Sequence, residues 1–252
     1  MADDHEDYIY PKGDVCDFPV PEEDMITLSR LITFPRGGRV LLPPCERPKL
    51  YPFRPFGKVD NIEWVHEVAV TEMSSVRKVR IDEQFYALKA FEFLCGPVTP
   101  SYQAYQRKSF LQDDPFHCEC RAYSRLKETN SEHLVVACHG YVLLTPGQES
   151  VIRDQGSELP SCFRRTILDD ETPVRALFKD WVDTTEYFVP KMVPQMLRDI
   201  KAFNSLGIIN RDIKMNNYLG GKQFDFGVAW TVPHLQLDNL LEKVTKATKQ
   251  NL

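Results

Sequence analysis

The segment Asn210-Arg211-Asp212-Ile213-Lys214-Met215-Asn216-Asn217 is followed, after one short hairpin, by Asp225-Phe226-Gly227. Together they set an acid, a lysine, an asparagine and a second acid at spacings that suit phosphoryl transfer from a metal-bound nucleotide. Asp212 is the candidate general base, or the group that orients an attacking hydroxyl, and Lys214 would stabilise charge on the moving phosphoryl. Asn217 and Asp225 offer the hard oxygen donors that magnesium prefers. An Asp-Phe-Gly triplet alone carries little weight, because it arises by chance. Arg-Asp-x-Lys-x-x-Asn, a Gly-Gly turn and then Asp-Phe-Gly form a far more specific pattern.

Such a site needs rigid elements to hold it. Three runs of strand formers, Trp64 to Val70, Val76 to Ile81 and Phe85 to Phe91, predict strands in antiparallel order with a turn at Asp82-Glu83. Gly96 to Gln112 reads as a loop. Asp114-Pro115 then starts a helix, with aspartate as cap and proline at the first helical position. Phe116, Cys120, Tyr123 and Leu126 recur on one face of it. Leu134 to Ala137 and Tyr141 to Leu144 read as a further hairpin, Thr145 to Thr172 as a polar loop, and Val174 to Val182 as another strand. A second helix opens at Pro194, carries an apolar stripe on Met196, Leu197, Ile200 and Phe203, and stops at Gly207. Leu237, Leu240, Leu241 and Val244 predict one amphipathic helix near the end. No internal repeat is visible, and the order of elements is that of an α+β protein.

The chain has 252 residues, 42% of them hydrophobic, enough to bury a real core. Its net charge of -5 leaves no polyanion-binding footprint, so direct contact with nucleic acid is not expected. No apolar stretch approaches membrane-spanning length, and no secretory leader opens the chain. Seven cysteines at irregular spacing predict free thiols in a reducing compartment, nucleus or cytoplasm. His117-Cys118-Glu119-Cys120 lacks a second ligand pair, so its cysteines read as helix residues and not as a metal site. Residues 1–60 read as a proline-rich, largely extended segment: nine of the 18 prolines lie between Pro11 and Pro55. Its start is acidic (Asp3, Asp4, Glu6, Asp7), and one apolar patch, Met25 to Phe34, could dock on the body.

The pattern around Asp212 and Asp225 resembles the catalytic and magnesium loops of the protein kinase superfamily. That resemblance implies a two-lobed protein kinase-like α+β fold, with an antiparallel N-terminal sheet over 61–182 and a truncated, mainly helical C-terminal lobe over 183–252. In such proteins the first acid takes the substrate hydroxyl's proton, while the asparagine and second acid hold magnesium. Tyr86-Ala87-Leu88-Lys89 is similar to the kinase strand whose lysine meets the nucleotide phosphates, and Glu119 on the following helix is the matching partner. The implied cofactors are ATP and Mg2+.

Three departures weaken turnover. Aligning Val76 with the phosphate-covering loop puts Ala69, Thr71 and Ser74 where glycines are expected, which crowds the phosphates. Asn210 also stands where a histidine usually organises the catalytic loop. Only 25 residues follow Gly227, too few for a peptide-docking platform. The apolar underside of the 194–206 helix then needs cover from the tail or from a partner.

A narrower resemblance rests on Arg47-Pro48-Lys49-Leu50-Tyr51-Pro52-Phe53, Asp114-Pro115-Phe116, Val136-Ala137-Cys138-His139-Gly140-Tyr141, Asn217-Tyr218-Leu219 and Ala229-Trp230-Thr231-Val232-Pro233-His234. This set is similar to the fungal Sim/Fta kinetochore-subunit family, whose members carry a kinase-like domain. Serine is frequent there at the position of Gly227. The main expectation is a kinase-like ATP-binding protein that transfers the γ-phosphate of Mg-ATP to a protein hydroxyl. The alternatives are a weak or inactive kinase-like scaffold within a kinetochore complex, or a truncated piece of a longer kinase-like protein.

Overall fold

The computed structural model describes residues 50–53, 62–93, 112–155, 163, 172–183 and 190–237. The rest of the expected 1–60 segment, residues 96–111 of the expected Gly96–Gln112 loop and the tail positions Leu240, Leu241 and Val244 lie outside them. The fold is α+β. Its centre is a five-stranded antiparallel sheet in the order β1-β2-β3-β5-β4.

The first three strands follow the expected meander: β1 (Glu63–Val70), β2 (Ser74–Ile81) and β3 (Gln84–Phe91). Asp82 and Glu83 both take positive φ, 48 and 70, which matches the right-handed twist of the flanking strands. Helix α1 (Pro115–Glu128) crosses one face of the sheet, and its Asp114 cap accepts a hydrogen bond from the His117 amide. The strand β4 (Cys138–Leu143) pairs with β5 (Arg175–Asp180), which in turn pairs with β3.

Side-chain alternation decides which face each residue serves. Tyr86, Leu88 and Ala90 of β3, with Ala176 and Phe178 of β5, build one core together with Val79, Ile81 and Ile152. Phe91 and Leu177 point to the opposite face and pack with Phe116, Cys120, Tyr123 and Leu126 of α1, and with Phe203 and Phe226. Lys89 has the parity of Phe91, and Lys179 that of Leu177, so both lysines face α1.

Several details depart from the sequence reading. Residues Pro146–Gln155 form a helix, α2, where a polar loop was expected, and Ile152 from it is fully buried. Leu134 to Ala137 does not make a hairpin with the following strand. Glu132–Leu134 is a single 3-10 turn, and the Val136 amide instead bonds to Gln223 O at 3.0 Å. On α3 (Val193–Ser205) Met196 and Phe203 are buried as expected, but Leu197 is 54% exposed. The inward place is held by Asp199, whose carboxylate accepts Gln195 Nε2 at 2.6 Å. Gly207, at φ 75, ends this helix.

The chain then passes through β6 (Ile208–Ile209), the hairpin of β7 (Tyr218–Leu219) and β8 (Lys222–Gln223), and β9 (Trp230–Thr231), which pairs with β6. Arg121 and Arg125 of α1 fasten this end by donating to the carbonyls of Thr231 and Pro233 and of Val232. Residues 235–237 are helical, and Leu237 is buried.

Residues 50–53, the described part of the expected extended segment, dock on the body. Leu50 and Phe53 are buried, and residues 51–53 run beside β4: Phe53 N donates to Tyr141 O at 2.8 Å and Tyr141 N to Tyr51 O at 3.2 Å. Gly140 permits this approach. Its φ is +148, and a Cβ there would stand 2.5 Å from Tyr51 O and 2.7 Å from Phe53 N. Gly140→Ala is therefore expected to cost about 1–3 kcal/mol through backbone strain and displacement of this segment. Thermal denaturation followed by circular dichroism checks it. A melting temperature equal to that of the parent would show that the segment does not depend on the glycine.

Candidate functional site

Parity on β3 aims Lys89 at α1, where its ammonium meets Glu119 Oε1 at 2.6 Å and Asp225 Oδ1 at 3.0 Å. Glu119 is wholly buried and serves a second cation through its other oxygen, Lys179 Nζ at 2.8 Å. Two lysines and two carboxylates thus form one closed, charge-balanced cluster. The Phe226 amide also donates to Glu119 Oε1, at 3.2 Å. Lys179 Nζ and Tyr123 Oη both donate to Phe224 O, at 2.7 and 3.0 Å, so the chain leading into Asp225 is pinned to the sheet and to α1. Phe226 is buried edge-on against Tyr123 and Phe203.

Asn210 ties the two halves of the signature together. Its Nδ2 donates to Asp225 O at 2.8 Å, and its Oδ1 accepts the Asp212 amide at 3.0 Å. An asparagine can do both because it carries a donor and an acceptor on one short side chain. Asp212 in turn accepts Asn217 Nδ2 at 3.0 Å and lies 2.9 Å from Lys214 Nζ.

Lys89, Asp212, Lys214 and Asp225 all line one cleft of about 470 Å³, together with Thr71, Glu72, Met73 and Ser74 from the β1–β2 turn. Glu119 stands behind Lys89, and Asn217 is buried next to Asp212. All six residues singled out from the sequence therefore belong to one neighbourhood. Lys179 was missed. Its only advance signal is that it shares its face with Leu177, which could be read once β5 and its register were known.

The β1–β2 turn is closed by its own side chain. Thr71 Oγ1 accepts the amides of Met73 and Ser74 at 3.2 and 3.1 Å, while the Thr71 amide bonds Ser74 O at 2.8 Å. Cys118 and Cys120 are buried free thiols on α1, and burial pushes the Cys118 thiol up to about 12. Among the described residues no group of three or more His, Cys, Asp or Glu side chains is arranged to hold a metal ion.

Burial opposes ionisation of Asp225, yet the charges of Lys89 and Lys179 and the Gly227 amide hold its carboxyl well below the usual carboxylate range. Burial likewise works against the Lys89 ammonium, but Glu119 and Asp225 outweigh it and raise its pKa.

The family profile described as Kinetochore Sim4 complex subunit FTA2 matches residues 39–230, a span that holds the whole cleft and the charge cluster. The chain belongs to this kinetochore-subunit family. No curated protein matches the sequence. Membership implies protein partners and an intracellular setting. Among the described residues no helix is long and apolar enough to cross a membrane.

Glu119→Ala should be the most damaging change in the cluster, because it strands two buried ammonium groups. The expected loss is about 3–5 kcal/mol, a fall in melting temperature of roughly 10 °C. Lys89→Met should cost clearly less, since Lys179 still neutralises Glu119. Equal losses from the two variants would contradict the shared carboxylate.

The cluster also fixes a pH response. Asp225 titrates below its ordinary value of 3.8 in the folded chain, so its stabilisation is present above that pH and is lost as the pH falls. Lys89 is raised above 10.5, so its contribution holds below that pH and is lost as the pH climbs through the folded value. Melting temperature should therefore drop on acidification through about pH 4, and Asp225→Asn should flatten that drop. A parent-like acid profile in the variant would remove Asp225 from the account.

Proposed function

We propose that this protein is a structural subunit of a nuclear kinetochore complex, built on a kinase-like fold whose phosphate-binding turn is closed. The observation that carries the reading is the Thr71 side chain, which takes the amides of both Met73 and Ser74. Backbone amides that cradle a phosphate must be unoccupied and unobstructed, which is why glycines serve that role so well. Here the turn spends two amides on its own threonine.

The kinase-like element of the proposal draws on several features. The β1-β2-β3-β5-β4 sheet carries Lys89 opposite Glu119 on the first helix, and the segment from Asn210 to Asp225 closes the cleft beneath. Protein partners follow from the family, which is one of kinetochore complex subunits.

The second reading, magnesium-dependent ATP binding with transfer to a protein hydroxyl, is favoured by the gathering of Lys89, Asp212, Lys214 and Asp225 around one cleft. Asp225 and Asn217 would hold the magnesium. Their donors are a carboxylate and an amide oxygen, a set that suits an ion brought in mainly by nucleotide phosphates. Asp225 Oδ1 is already bonded to Lys89 and to the Gly227 amide, so that ion would have to compete with both.

Thermal melting separates the two readings. A ligand at a hundredfold excess over its dissociation constant stabilises by about 2.7 kcal/mol, a readily measured shift. The structural reading expects the same melting temperature with and without Mg-ATP. It also expects Asp212→Asn to co-purify with its complex as the parent does. A shift with Mg-ATP that Lys89→Ala and Asp225→Ala both abolish would overturn it.

A further inference from the structure

A second concavity of about 480 Å³ lies between the 3-10 turn at Glu132–Leu134, the start of α3 and the β7–β8 turn. None of its lining residues borders the cleft described above. Its chemistry is distinctive for a chain of net charge -5. His133, Lys191 and Lys222 stand around it, all exposed, and among the described residues none of the three lies in an ion pair. Leu134 and Met192 give it apolar wall.

We propose that this groove docks an acidic, extended peptide segment of a partner protein. Carboxylates spaced along such a segment would meet the lysines and the imidazole, and apolar side chains between them would lie on Leu134 and Met192. The positive end of α3 opens at the same place: its cap is Met192, which makes no side-chain hydrogen bond, and its first turn carries no acid.

The groove's one carboxylate, Asp199, is 5% exposed and already accepts Gln195 Nε2. Burial pushes its carboxyl up against the opposing effects of Gln195, Arg198 and His133. Facing a peptide, it is an acceptor for a backbone N–H, a group that every extended segment presents and that a polyanion backbone does not. Three basic groups suit a few carboxylates and are too few for a duplex, whose binding rests on many phosphate contacts. The Gly220-Gly221 turn leaves the rim open on the hairpin side, since a Cβ at either position would meet nothing within 4 Å. This inference is independent of whether the cleft takes nucleotide.

The test uses the full chain and a short fluorescein-labelled peptide in which glutamate alternates with leucine, read by fluorescence anisotropy. Saturable binding is expected, weakened by added salt. The double reversal Lys191→Glu/Lys222→Glu should weaken it at least about tenfold, while Lys201→Glu, on an exposed part of α3 outside the groove, should not. Both reversed positions are exposed, so an unchanged melting temperature separates lost docking from lost folding. Undiminished binding by the double variant would overturn the proposal. An equal loss in Lys201→Glu would do the same, as would displacement of the peptide by duplex DNA at matched charge.

Discussion

Everything in this molecule that resembles an active site hangs on one buried carboxylate. Glu119 has no solvent exposure and holds Lys89 and Lys179 at 2.6 and 2.8 Å. A lone carboxylate in that position would be strongly penalised by desolvation, and so would either ammonium without it. The three groups can be buried only as a set, with Asp225 supplying the fourth charge. Because those residues come from β3, α1, β5 and the segment after β8, satisfying the charges also fixes how these elements sit against one another. The apolar packing of Phe91, Tyr123, Leu177 and Phe226 supplies the favourable burial; the ion cluster sets the register in which it happens.

The sheet itself is covered on both faces, which explains where the rest of the chain goes. One face takes α1. The other takes Ile152 from α2, with Phe163, Leu144 and Phe53 around it. Arg77 marks this second layer: it is almost wholly buried, bonded to Glu67 at 2.7 Å and to Ile152 O at 2.9 Å. A charged residue can sit there because its donors find a carboxylate and a carbonyl. The β4 side of the sheet is met by residues 51–53, brought close by Gly140.

What could be read from the sequence was what local pattern controls. The three strands of the meander, their turn at Asp82-Glu83, the Asp114-Pro115 helix start and the Gly207 stop each follow from a few neighbouring residues, and each is present. The family was legible too, through short motifs that turn out to touch: the segment ending at Phe53 lies on the strand containing Gly140. Features set by distant partners were not legible. Lys179 sits in the short strand Arg175–Asp180, and only its pairing with β3 turns it towards Glu119. Residues 146–155 are polar enough to pass for a loop, and their helix is held by distant partners: Ile152 packs on the sheet face, its carbonyl accepts Arg77, and Glu149 Oε1 accepts the Val174 amide at 2.8 Å. Leu197 had the right spacing for the core, but Asp199 took that place, because Gln195 could satisfy its carboxylate within the same helix.

The same electrostatics changes what the signature residues mean. A lysine, a glutamate and an aspartate kept together invite the inference that chemistry keeps them. In this molecule burial alone is sufficient reason. Loss of Glu119 leaves two ammonium groups uncompensated in a low-dielectric interior, at a cost of about 3–5 kcal/mol, a large share of a domain's total stability, and loss of any other member unbalances the cluster at a smaller cost. Substitution one residue at a time is therefore resisted whether or not a nucleotide ever enters the cleft. Asp212 and Lys214 are under weaker constraint. Their side chains are 40% and 57% exposed, and their mutual ion pair at 2.9 Å is of the solvent-screened kind that contributes little to folding. Of the six signature positions, these two carry the information about catalysis, and the threonine-closed turn across the cleft from them is the feature that argues against it.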